Sequence, residues 1–165
     1  MAAYQSYYAR GIIGKMKNAT PDEVFLQALR VLGARACSEA SLRQKLARKA
    51  QPEVVETVIQ RVKRLGYLDD QKYAEGYVRL YSGKWGPGKL RRALQEKGVS
   101  REVVDRVLAE QESQHNPVEE AVALLKRYQS RHRGEKPRAI RLLVNRGYAF
   151  SHALSAWESY LEQTR

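Results

Sequence analysis

One ten-residue pattern, written three times, constrains this chain more than any other feature. Ser41-Leu-Arg-Gln-Lys-Leu-Ala-Arg-Lys-Ala50 returns as Lys89-Leu-Arg-Arg-Ala-Leu-Gln-Glu-Lys-Gly98, and more faintly as Arg138-Ala-Ile-Arg-Leu-Leu-Val-Asn-Arg-Gly147. From Leu46 to Leu94 the step is 48 residues, and from Leu94 to Leu143 it is 49. Each copy keeps an apolar pair four apart, basic neighbours and a closing Ala or Gly. A period of this length means one small helical unit used repeatedly, and stacked units present extended surfaces for docking.

Each unit reads as three helices. Phe25, Leu26, Leu29 and Leu32 trace a face of the first helix, and Leu42 and Leu46 mark the second. Val54, Val55, Val58, Ile59 and Val62 mark the third at helical rather than alternating spacing. Thr20-Pro21-Asp22-Glu23 and Asn116-Pro117-Val118-Glu119 are two capping-box sequences with proline at the first helical position. Gly66-Tyr67, Gly98-Val99 and Gly147-Tyr148 are helix stops followed by an apolar residue able to pack back. Ala50 stands at the corresponding stop of the first unit, which predicts a strained or irregular turn there. The polar stretch Glu110 to Pro117 predicts a hinge before the third unit, and Gly134-Glu135-Lys136-Pro137 an internal break within it. The expected fold is all-α, an elongated array of three tandem three-helix repeat units at 21–68, 69–115 and 116–165, preceded by a flexible basic arm over 1–20.

Composition narrows the partners. The 165 residues are 43% hydrophobic, enough to build packed interiors, while 30 Lys and Arg against 18 Asp and Glu give a net charge of +12. Such a balance favours acidic partners: nucleic acid, an anionic membrane or an acidic protein surface. The single cysteine, Cys37, cannot form an intramolecular disulfide, which points to the cytoplasm. No apolar run approaches the ~20 residues that span a bilayer. A membrane-surface role is disfavoured because the apolar stripes are needed inside the bundles. Arg10, Lys15 and Lys17 precede the first acid, Asp22, and a basic arm accounts for them better than a transit peptide.

Gly66-Tyr67-Leu68-Asp69-Asp70, Tyr73-Ala74, Tyr77-Val78, Trp85-Gly86-Pro87, Leu90-Arg91-Arg92-Ala93-Leu94 and Lys97-Gly98-Val99 stand in an order that resembles the bacterial RecX family. The resemblance runs from about Val24 to Trp157. Two departures are Trp85, where the family often has Tyr, and Ala50, where it usually has Gly. The resemblance implies a cytoplasmic, non-enzymatic modulator of the RecA recombinase. Such a protein binds the groove of the RecA filament on single-stranded DNA, with duplex DNA left open, and restrains filament extension, ATP hydrolysis, strand exchange and repressor cleavage. It implies a monomer with no cofactor and no membrane partner.

The RecA- or DNA-binding candidates are cations that accompany the repeated helix. They are Arg43, Lys45, Arg48 and Lys49 in the first unit, Lys84, Lys89, Arg91, Arg92 and Lys97 in the second, and Arg138, Arg141 and Arg146 in the third. Lys126, Arg127, Arg131, Arg133 and Lys136 form the densest basic run, which straddles the internal break of the third unit and serves either to reach DNA or to keep the chain soluble. A solvated helix face would also carry charges, but it would mix their signs, and the three repeated segments hold a single acid, Glu96. Trp85 and Tyr81 lie among cations, as aromatics do where they stack on bases, whereas Tyr73 and Tyr77 fit a packing stripe. Asp69 and Asp70 read as helix caps rather than an acid-base pair. His115, His132 and His152 lack metal-ligand spacing, and no Gly-rich phosphate loop or nucleophile motif is present. The alternative function is a general basic helical module that binds DNA directly, as helix-turn-helix readers do.

Overall fold

The computed structural model describes residues 18–164. Most of the basic arm expected over 1–20 lies outside them. Among the described residues ten helices follow in order: α1 Pro21–Ala34, α2 Glu39–Ala47, α3 Pro52–Arg64, α4 Asp70–Tyr81, α5 Pro87–Glu96, α6 Arg101–Gln114, α7 Pro117–Arg127, α8 Gln129–His132, α9 Lys136–Asn145 and α10 Phe150–Thr164. Among the described residues there is no strand, only one isolated bridge between Asn18 and Ala50. The all-α expectation is met. The chain divides into two units, one ending at Tyr73 and one beginning at Ala74.

In the first unit α1, α2 and α3 enclose Val24, Ala28, Leu42, Leu46, Val55, Val58, Ile59 and Val62. The buried stripe of α1 is rotated from the expected one. Val24 and Ala28 are buried, whereas Leu26 is 55% exposed. Small residues let α1 approach its neighbours closely, and hydrophobicity alone does not reveal that preference. Thr20 caps α1 through a closed capping box, its hydroxyl accepting from the Glu23 amide and the Glu23 carboxylate accepting from its own. Ala50 is buried and paired with Asn18, and among the described residues only Arg133 and five glycines have positive φ. The turn at Ala50 is therefore unstrained. After Gly66 the residue that buries is Leu68, while Tyr67 stays 58% exposed.

In the second unit α4, α5 and α6 bury Ala74, Val78, Leu90, Leu94, Val104, Val107 and Leu108. The helices α7 to α10 surround a further core of Ala121, Leu125, Leu143, Ala153, Trp157 and Tyr160. His132 is fully buried there, its Nδ1 accepting from the Gly134 amide and its Nε2–H donating to the Leu125 carbonyl, with Trp157 and Tyr160 edge-on to it. Asn116 caps α7 by accepting from the Val118 amide rather than through the box its sequence suggests. The break expected near Gly134 falls between α8 and α9.

Two close backbone contacts join distant turns of the second unit. α6 runs on to Gln114, and the Gly86 and Gly88 amides donate to the Arg146 and Gly147 carbonyls at 2.7 and 2.9 Å. A Cβ on Gly86 would lie 2.7 Å from the Tyr148 nitrogen, and one on Gly147 would lie 2.4 Å from the Lys89 nitrogen. Gly147 also ends α9 at φ +93°. The turn before α5 and the turn after α9 thus meet backbone to backbone. Approach this close is open only to residues without a Cβ.

Candidate binding groove

Pro87 and the N-cap Gly86 start α5, and Leu90 and Leu94 turn its apolar side into the core. Helical geometry then places Lys89, Arg92, Ala93, Glu96 and Lys97 along one flank beside that apolar side. On α4, Tyr77 and Tyr81 are one turn apart, and Trp85 continues their column across the turn. Tyr77 and Tyr81 have ring centroids 4.6 Å apart, and Tyr81 and Trp85 are stacked at 4.4 Å and 8°. Lys89 Nζ stands 4.7 Å from the Trp85 ring centroid and Lys97 Nζ 5.7 Å from that of Tyr77. Contacts of this kind are worth about 0.5–1 kcal/mol each where exposed, enough to bias the lysines toward the rings.

Except for Tyr81, which backs Trp85, these side chains line an open groove of about 640 Å³, together with Asn145 at the end of α9. Its charged lining is Lys89, Arg92 and Lys97 against Glu96 alone. Partial burial, with Tyr81 and Glu96 nearby, pushes the Tyr77 phenol up, so the ring stays neutral. Trp85 has Tyr81 on one side and the Lys89 ammonium over its ring, so it presents an edge rather than an open stacking face. The groove therefore offers cations over half-buried aromatics. That is a surface for acidic or phosphate groups without an enclosed chamber for chemistry.

Other predicted residues fall elsewhere. Arg43 is held by Glu39 at 2.7 Å and Glu56 at 3.1 Å, and Arg138 by Glu135 at 3.1 Å. Arg91 is paired with Asp105. Lys126 donates to the Gln163 amide oxygen, away from the groove lining. Lys45 is half-buried near Cys37, and Arg48 is exposed at the end of α2. Arg141 is exposed on α9 one turn before Asn145. Lys84 is exposed beside Trp85, and its carbonyl accepts from the Arg146 guanidinium at 3.1 Å. Arg127 and Arg131 flank Tyr128. Asn145 and Tyr128 were not among the sequence candidates. Only Tyr128 carried a legible signal, as an aromatic inside a basic run.

The described residues make an all-helical repeat protein with an open cationic groove, and comparison with known proteins gives that class a family. A family model described as "RecX, first three-helix domain" matches residues 25–61, and one described as "RecX, second three-helix domain" matches 69–108. The chain is 42% identical over 141 residues to "Regulatory protein RecX" of Thermus thermophilus, covering 86% of this chain and 94% of that protein. It is 32% identical to the Deinococcus radiodurans protein of the same name, covering 83% and 68%. The crystal structure of RecX from Lactobacillus salivarius has the same fold, with a TM-score of 0.78 at 19% identity over 86% of this chain and 97% of that one. The chain belongs to the RecX family, whose named members are regulatory proteins.

Proposed function

We propose that this chain is a non-enzymatic negative regulator of the RecA recombinase. It docks in the groove of the RecA filament on single-stranded DNA and inhibits filament extension, ATP hydrolysis, strand exchange and coprotease activity. The family membership supports a regulatory role, and the likeness of the sequence to RecX supports RecA as the target. The groove of Lys89, Arg92 and Lys97 over the Tyr77–Tyr81–Trp85 column supplies the contact, because it concentrates positive charge on a half-buried aromatic base. Aromatic and arginine side chains of this kind dominate protein–protein hot spots. Among the described residues Arg92 has no carboxylate partner, so it meets a filament with its charge intact. Filaments form in the cytoplasm, where the protein acts as a monomer.

The test is RecA-driven ATP hydrolysis on single-stranded DNA with the protein added below filament stoichiometry. Arg92→Glu is expected to raise the half-inhibitory concentration about tenfold, the size of one central interface contact. Arg91→Glu is a poorer probe because it also breaks the Asp105 pair. Equal inhibition by Arg92→Glu and the parent chain would overturn the groove assignment. Retention on bare DNA equal to that on RecA-coated DNA at the same ionic strength would favour the general DNA-binding module.

A further inference from the structure

Two guanidinium groups from different elements sit over one phenol ring, and a third arginine, Arg127, adjoins it in the chain. Tyr128 follows α7 directly after Arg127, Arg131 lies on α8, and Arg146 caps the end of α9. The Arg146 Cζ is 4.5 Å from the Tyr128 ring centroid and the Arg131 Cζ 5.2 Å. Arg146 is fixed further by its bond to the Lys84 carbonyl. Hydrogen bonding to Arg146, then the charges of Arg146, Arg127 and Arg131, hold the phenol below its ordinary pKa. Among the described residues no carboxylate pairs with any of the three arginines, although Arg43, Arg91 and Arg138 each found one. Three like charges gathered at one point repel, and an anion placed among them removes that cost.

We propose that Arg127, Arg131 and Arg146 around Tyr128 form a phosphate-binding site that takes the phosphodiester backbone of single-stranded nucleic acid. Planar guanidinium forks match the oxygens of a phosphate, and Tyr128 spaces them as a platform for cations. With guanidinium groups over its ring, Tyr128 does not offer a face to a base. Recognition at this site is therefore independent of sequence. Arg146 joins it to the groove, since its neighbour Asn145 lines that groove and Lys84 precedes Trp85. The biological occupant, DNA exposed within a filament, rests on the function proposed above, whereas the phosphate site itself does not.

The experiment measures binding of the full chain to a fluorescein-labelled oligo(dT) by anisotropy between 50 and 200 mM salt. Each phosphate contact contributes about 0.7 to the logarithmic salt slope on single strands, so Arg127→Gln/Arg131→Gln is expected to flatten the slope by about 1.4. The parent chain then loses about sevenfold more affinity than the variant over that salt range. Lys136→Gln, an exposed cation outside the cluster, serves as the control and should leave the slope nearly unchanged. An unchanged slope in the double variant, or an equal change per charge in the control, overturns the proposal. Inorganic phosphate competing as well as the oligonucleotide, phosphate for phosphate, would assign the site to free phosphate and overturn the nucleic-acid occupant. Failure here with Arg92→Glu still relieving RecA inhibition sinks the phosphate site alone, and the reverse pattern sinks only the filament function.

Discussion

Adjacent carboxylates at Asp69 and Asp70 cap different helices. Asp69 accepts from the Lys72 amide at the start of its own α4, whereas Asp70 accepts from the Glu39 amide, the first of α2, at 2.7 Å. Local sequence announces the first bond; the second joins residues 31 apart and exists only in the folded bundle. Burial pushes the Asp70 carboxyl up, and the bond from Glu39 only partly opposes this. Ionisation at neutral pH therefore costs stability, while the hydrogen bond supplies it. Asp70→Ala is expected to lose about 1 kcal/mol, the worth of a helix cap, and Asp70→Asn, which keeps an acceptor without the charge, is expected to lose less. Urea denaturation at pH 7 separates the two, and equal losses would deny the cap its role.

At the scale of elements, α2 and α3 are tied by Glu39, which meets Arg43 at 2.7 Å and Lys63 at 2.8 Å, and by Arg43, which reaches on to Glu56. Burial acts to raise the Glu39 pKa, but the bonds and charges of Lys63 and Arg43 outweigh it and hold the carboxyl below its ordinary 4.5. A depressed carboxyl pKa means that the unfolded chain binds the proton more tightly. The stabilisation is present above about pH 4.5 and disappears as pH falls through the lower folded value. Glu39→Gln is expected to be less stable than the parent at pH 7, with stability falling less steeply between about pH 5 and 3. Parallel pH slopes in denaturant titrations would contradict this. The same network explains why the repeated basic helix is less uniformly basic than its sequence suggests: Arg43 and Arg91 belong to ion pairs within their own bundles.

At the scale of the molecule, the contact between the turn at Gly86 and the turn at Gly147 decides what the second unit can do. It sets the end of α9 against α5, places Asn145 at the groove and brings Arg146 from Lys84 to Tyr128. Gly147→Ala meets both a left-handed backbone and a Cβ 2.4 Å from Lys89, a combination expected to cost about 3 kcal/mol or more. Gly76→Ala, in the body of α4 with nothing within 4 Å of its Cβ, should gain up to about 1 kcal/mol. Thermal unfolding compares them, and hydrogen exchange at the Gly86 and Gly88 amides reports whether the turns have separated. Full protection of those amides in Gly147→Ala would show that the contact tolerates a side chain.

Period, capping residues and helix stops made the helices legible from the sequence, because each depends on residues within a few positions of one another. Thr20 with Glu23, and Gly98 with Val99, are interactions of that kind. The repeat also located the basic helix, and the aromatic spacing of Tyr77, Tyr81 and Trp85 put the groove's base in view. Beyond the local pairs of Arg43 with Glu39 and Arg138 with Glu135, tertiary structure decided which cations are neutralised, since Arg91 and Asp105 are paired by the packing of α5 on α6. It also brought Arg146 to Tyr128, and it set the turn at Gly86 against the turn at Gly147. Side-chain pairing and close approach are set by distances between elements, and a single sequence carries local preference without those distances.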